Sequence, residues 1–234
     1  MSLAPHAAPR PAPLATTARR TGMLGVEPLL RGEGTHAVGG GRVPVAGLLL
    51  IVLVCGGLYG AVMGGYSLNA EQMLYSALKV PLLLVVSTLV CLPNFYVLNA
   101  VLGVAGDFRA ALRGILSAQA TLAVTLAALS PVTAFLYVSG DSYEFFKLLN
   151  GAMFFVGSLA AQRTLARHYA PLLARDRRHR RALLGWPVLY VFVAMQLAYV
   201  LRPFVGNPAL PTTFLRETWW GNVYVDLAWA LRGL

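Results

Sequence analysis

At 234 residues, with 57% hydrophobic and only 12% charged side chains, a formal net charge of +10 and a mean hydropathy of +0.64, the chain is excluded from the ordinary water-soluble domains, which could not hide so much apolar surface. Its apolar runs far exceed the roughly 9 to 11 alternating residues of a barrel strand, and only barrels and helices satisfy every backbone polar group in hydrocarbon. The expected fold class is an all-α integral membrane protein, a bundle of about five transmembrane helices plus a C-terminal interfacial amphipathic helix.

Residues 1–42 are rich in Ala, Pro, Gly and Arg and carry no helical or strand period. Lacking an apolar face to offset the entropy of ordering, they read as a disordered basic cytoplasmic tail. The first strong apolar run starts near residue 44 and is of spanning length, which argues against a cleaved signal peptide with its short early core. Apolar stretches then cover 45–65, 75–103, 115–138, 145–161 and 182–201, and a spanning helix needs about 20 such residues. The chain thus divides into the tail, a five-helix transmembrane domain at 43–205, and a turn-rich linker with an aromatic interfacial helix at 206–234.

In the first stretch, the run GGLYGAVMGG puts Gly56, Gly60 and Gly64 on one helical face, where helix backbones can approach closely as in G-x-x-x-G contacts. Packing against another span is the plain reading and homodimerisation the alternative. The second stretch contains Pro81, Pro93, Asn94 and Asn99. A proline removes a backbone hydrogen bond and clashes with the preceding turn, so a tilted, kinked or broken helix is expected, with a carbonyl freed near Leu89. Lys79 lies inside this stretch, where an ammonium must snorkel to the interface or pair, with Glu71, Asp141 and Glu144 as candidates. Glu144 and Lys147, three residues apart, are expected to pair with each other. Cys55 and Cys91 fall within spans and serve as small apolar residues.

The segment RTLARHYAPLLARDRRHRRALLGW joins the fourth and fifth stretches and carries Arg163, Arg167, Arg175, Arg177, Arg178, Arg180 and Arg181 against the single acid Asp176. It is expected to lie on an anionic cytoplasmic leaflet, each arginine contributing roughly 1 kcal/mol, and to bind lipid headgroups or an acidic partner, or simply to set topology. If the N-terminus is cytoplasmic, this segment, the tail and the Arg109/Arg113 loop place most of the 19 basic residues inside. The opposite loops, GGYSLNAEQ and SGDSYEF, hold no Lys or Arg. The positive-inside rule therefore predicts an inner N-terminus and an outer C-terminus.

After the fifth stretch, Arg202 and Pro203 mark an end, and Gly206, Asn207, Pro208 and Pro211 enforce turns. Trp219, Trp220, Tyr224 and Trp229 favour the headgroup region, and a surface helix is expected over 222–231, a short sixth span being the alternative. Arg216, Glu217 and Asp226 complete this candidate interface.

His168 and His179 have no ligand-spaced partner, so no metal is expected, and no cofactor. No zinc-protease, nucleophile-elbow or phosphate-loop motif occurs, and no aromatic platform interleaves the arginines, so nucleic-acid binding is not expected. From Val45 to Leu201, the five-span layout with a basic tail and a polar, proline-containing second helix resembles the Yip1-type membrane proteins, a resemblance of topology and texture. It implies a non-enzymatic, membrane-organising or partner-binding role. The leading expectation is a scaffold or subunit of a membrane assembly, with a protein partner or a second copy of itself. The alternatives are a small transporter or channel, with Asn94, Asn99, Gln119, Thr121 and Asn150 lining a polar path, and a lipid-acting enzyme. The Arg-over-Lys usage suggests a bacterial cytoplasmic membrane.

Overall fold

The computed structural model describes residues 45–140, 142–206, 212–215 and 221–225. The N-terminal tail, Asp141 and the candidate residues Arg216, Glu217, Trp219, Trp220, Asp226 and Trp229 lie outside the described residues.

Among the described residues the fold is built on five long helices: α1 Val45–Gly64, α2 Ala70–Val101, α3 Phe108–Ser139, α4 Tyr143–Arg175 and α5 His179–Val200. Each is long and apolar enough to cross a bilayer, and the chain is a multi-pass integral membrane protein. The turns between them have local causes. Asn69 caps α2 by accepting from the Glu71 N–H at 2.9 Å, and Leu68 just before it sits in the left-handed region. Ser142 caps α4 by accepting from the Phe145 N–H at 3.3 Å. Asp176 ends α4 and its carboxylate accepts from the Arg178 N–H at 2.8 Å, closing the tight turn into α5.

The helices run up and down. α1 is central, packed against α2 on one side and α3 on the other; α4 lies on α3 and α5 on α2. The sequence-adjacent pair α4 and α5 meet only sparsely. One end of the bundle carries the α4–α5 turn with its arginines, and will be called the arginine end. The other carries the α1–α2 and α3–α4 turns and residues 202–206, and will be called the strap end. Large apolar side chains such as Leu53, Leu58, Phe155 and Phe192 are exposed on the outer surface, where lipid would solvate them.

Two expectations about the helices need correcting. The fourth helix does not stop at residue 161: α4 continues to Arg175, so the arginine-rich segment is a helical hairpin and not a loop. Hydropathy falls after Ala161 because the helix becomes amphipathic. Thr164, Leu165, His168, Tyr169 and Leu172 are buried at helical spacing while Arg163, Arg167 and Arg175 are exposed. At 33 residues α4 is about 50 Å long, well beyond the roughly 30 Å of hydrocarbon, so its last turns stand in the headgroup layer.

The second correction concerns α2, which is unbroken across both Pro81 and Pro93. Pro93 and Asn94 lie on its exposed face. Thr88 Oγ1 donates to the Leu84 carbonyl at 2.7 Å and Asn99 Nδ2 to the Phe95 carbonyl at 2.7 Å, while Asn99 Oδ1 is buried with no hydrogen-bond partner among the described residues.

Candidate ligand-binding cleft

Because α5 packs on α2 and α4 on α3, the two outer helices splay and leave a cleft of about 790 Å³ between them. On α4 the lining residues recur every three to four positions, through Tyr143, Lys147, Gly151, Phe154 and Ser158. On α5 they follow the same rule through Trp186, Tyr190, Ala194 and Ala198. The floor is apolar, from Met63, Leu83, Leu84 and Leu122. An alanine-like Cβ on Gly151 would meet nothing within 4 Å, so the wall is open at this point.

Polar groups in the middle of the cleft already have partners. Asn150 accepts from the Tyr59 hydroxyl at 2.8 Å and donates to the Tyr137 hydroxyl at 2.7 Å and the Phe146 carbonyl at 2.8 Å. The Tyr137 hydroxyl in turn donates to the Met63 carbonyl at 3.1 Å. Tyr190 donates to Gln119 Oε1 at 3.2 Å. The amides expected to line a solute path therefore tie helices together. Replacing Asn150 by leucine removes three bonds worth on average about 0.6 kcal/mol each in membrane proteins, so a loss of about 2 kcal/mol is expected in reversible unfolding from detergent micelles.

The charged rim lies at the strap end. Lys147 Nζ pairs with Glu144 at 2.7 Å and lies 5.0 Å from the Tyr143 ring centre. Arg202 lines the same end and sits 5.5 Å from the Tyr199 ring. Residues 202–205 roof the cleft, and α2 holds them there. Lys79 Nζ donates to the Pro203 carbonyl at 2.7 Å and to the Thr213 carbonyl at 3.2 Å. Ser76 Oγ donates to the Phe204 carbonyl at 2.5 Å, Gln72 Nε2 to the same carbonyl at 3.1 Å, and the Tyr143 hydroxyl to the Val205 carbonyl at 3.3 Å. Gly206 passes so close to α2 that a Cβ would come 2.7 Å from Gln72 Cγ.

Lys79 therefore neither snorkels nor takes an acidic partner among the described residues. It is fully buried, with Phe214 and Tyr75 ring centres 5.3 and 6.0 Å from its ammonium. The expected carboxylate Glu71 instead accepts from the Tyr75 hydroxyl at 2.7 Å and the Thr212 hydroxyl at 2.8 Å. Backbone carbonyls can satisfy an ammonium as well as a carboxylate can, provided a segment folds over it.

The remaining candidates fall elsewhere. Gly56, Gly60 and Gly64 face α2, opposite Pro81, Ser76 and Gln72. Arg163, Arg167, Arg175, Arg177, Arg178, Arg180 and Arg181 are all exposed at the arginine end. There the Asp107 carboxylate lies 3.2 Å from His179 Nε2 and 3.6 Å from Arg175 Nη1, joining the start of α3 to the hairpin. Among the described residues, no three His, Cys, Asp or Glu side chains gather as a metal site would require. Past the roof, Gln196 on α5 receives the Val223 N–H at 3.1 Å and donates to the Gly221 carbonyl at 3.1 Å, and the Tyr224 ring stacks on Phe192 at 4.4 Å. Residues 221–225 thus lie along the flank of α5.

Sequence reasoning missed Gln72, Ser76, Tyr143, Gly151, Trp186 and Tyr190. Lys147 carried the one available signal, as one of only two lysines, but it was accounted for by its bond to Glu144. The chain matches no protein-family model, no curated protein and no solved structure.

Proposed function

We propose that this chain is a non-enzymatic multi-pass protein of a bacterial cytoplasmic membrane that serves as a scaffold or subunit of a membrane assembly. The observation that carries the reading is the open-sided bundle: α4 and α5 leave a lateral cleft that the described residues do not fill. An incomplete intramembrane surface is the kind that another apolar molecule completes, since van der Waals packing drives association in lipid. The gathering of most of the exposed arginines at one end supports a cytoplasmic N-terminus and an outer C-terminus. A non-enzymatic, membrane-organising role also accords with the likeness to Yip1-type proteins.

Solubilised in a mild detergent, the tagged chain is expected to elute with a second membrane protein or a second copy of itself, as read by cross-linking and mass spectrometry. A monomer without a partner in every preparation would overturn the scaffold reading. A C-terminal alkaline phosphatase fusion is expected to be active, and a C-terminal fusion active only as a cytoplasmic reporter would reverse the orientation.

A further inference from the structure

We infer that the cleft between α4 and α5 binds one anionic phospholipid, its phosphate between Lys147 and Arg202 and an acyl chain running toward Trp186. The inference rests on reading the cleft as a receiving site, and does not depend on which protein the chain assembles with.

The shape of the cleft selects the occupant. It is roofed at the strap end by residues 202–205 and the Tyr143 to Val205 hydrogen bond, and toward the arginine end its lining reaches no further than Gln162 on α4 and Trp186 on α5. A spanning helix of a partner must reach water on both sides and is about 10 to 12 Å wide, so a slot roofed at one end and extending only part of the way to the other does not take one along its length. A lipid enters sideways from the bilayer and needs water only at its headgroup. The distance along α4 from Lys147 to Gln162 is about 22 Å at 1.5 Å per residue. This exceeds one leaflet's half of the roughly 30 Å hydrocarbon core, so a whole acyl chain is accommodated. The volume, about 790 Å³, is in the range of sites that enclose most of a ligand.

Charge selects the headgroup. Among the described lining residues, Lys147, Arg202 and Glu144 carry the charge at this end, two cations and one carboxylate, and the surplus positive charge complements the single negative charge of a phosphodiester. The mid-cleft side chains Asn150, Gln119 and Tyr190 are engaged with neighbouring groups, so apart from Ser158 and Gln162 the walls below the rim offer mainly hydrocarbon-like contact. This site is at the opposite end of the bundle from the exposed arginines, and is separate from any attraction of that rim to an anionic surface.

Trp186 reports on the interior, being 2% exposed and in the cleft lining. The full chain with Trp219, Trp220 and Trp229 changed to Phe, reconstituted in vesicles, would be titrated with phospholipids brominated on the acyl chain. Brominated phosphatidylglycerol is expected to quench Trp186 at a mole fraction at least five-fold lower than brominated phosphatidylcholine. The variant Lys147→Gln with Arg202→Gln is expected to erase that preference, and Gly151→Leu to reduce quenching by both lipids. Arg163→Gln with Arg180→Gln, at the other end, should leave the preference intact. Equal quenching by the two lipids in the parent chain would overturn the proposal, as would no quenching at all or loss of quenching on adding inorganic phosphate. If Gly151→Leu does not fold, the comparison of the two lipids in the parent chain still decides the matter.

Discussion

Gly60→Leu is expected to abolish recovery of folded, monodisperse protein, the largest single effect in the transmembrane domain. A Cβ at Gly60 would run into the Ser76 carbonyl oxygen and approach Ala77 Cα to 2.9 Å. Both are backbone atoms of a continuous helix, so neither can swing aside. Overpacking a well-filled site costs typically 1 to 3 kcal/mol and sometimes more, and here the two helices that bury the centre of the bundle must separate, so about 3 kcal/mol or more is expected. Gly64→Leu should behave similarly, since its Cβ would come 2.6 Å from the Gln72 carbonyl oxygen. Gly56→Ala is tolerable, with Pro81 at an ordinary 3.6 Å. Gly151→Ala is the control: it meets nothing, and should stabilise α4 by up to about 1 kcal/mol through helix propensity. Size-exclusion profiles and thermal unfolding in one detergent compare all four. A Gly60→Leu protein as stable as its parent would show that α1 and α2 are not held in this register.

Lys79→Met is expected to free the strap. The methionine fills much of the same volume but donates nothing, leaving the Thr213 carbonyl without its lysine bond and the Pro203 carbonyl with only the Gln72 amide at 3.3 Å. Hydrogen bonds from a charged donor are worth roughly 1.5 to 3 kcal/mol each, and the relief of no longer burying an ammonium offsets part of that. A net loss of about 2 kcal/mol is expected, appearing as faster tryptic cleavage after Arg216 while α1 to α4 stay resistant. Unchanged cleavage would mean that Ser76, Gln72 and Tyr143 suffice to hold residues 203–205. Cleavage throughout the chain would mean that the strap supports the whole bundle.

The helices were legible because long apolar runs leave few other solutions in lipid, and the all-α bundle follows from them. The end of the fourth helix was not, because a hydropathy window averages over the faces of a helix and cannot see that Leu165, Tyr169 and Leu172 face inward while Arg163 and Arg167 do not. The cost of burying Lys79 could be read from its position, but its partners are carbonyls more than 120 residues away, which no side-chain pattern announces. Pro93 suggested a break that α2 does not make, since a membrane helix can carry a proline without ending. The cleft was out of reach for a different reason. It arises from α5 choosing α2 over its sequence neighbour α4, a decision between two apolar surfaces that composition does not distinguish.

The burial of Lys79 also sets an order of events during synthesis. α2 emerges from the ribosome more than a hundred residues before Pro203 and Thr213, whose carbonyls take up its ammonium. Until those carbonyls arrive, the second helix holds a cation that hydrocarbon rejects, and it must wait shallow in the bilayer or beside the insertion machinery. The segment that follows α5 is therefore the one that lets an early helix settle to its final depth, and a chain cut short after α5 would be left with a lysine for the cell's quality control to find.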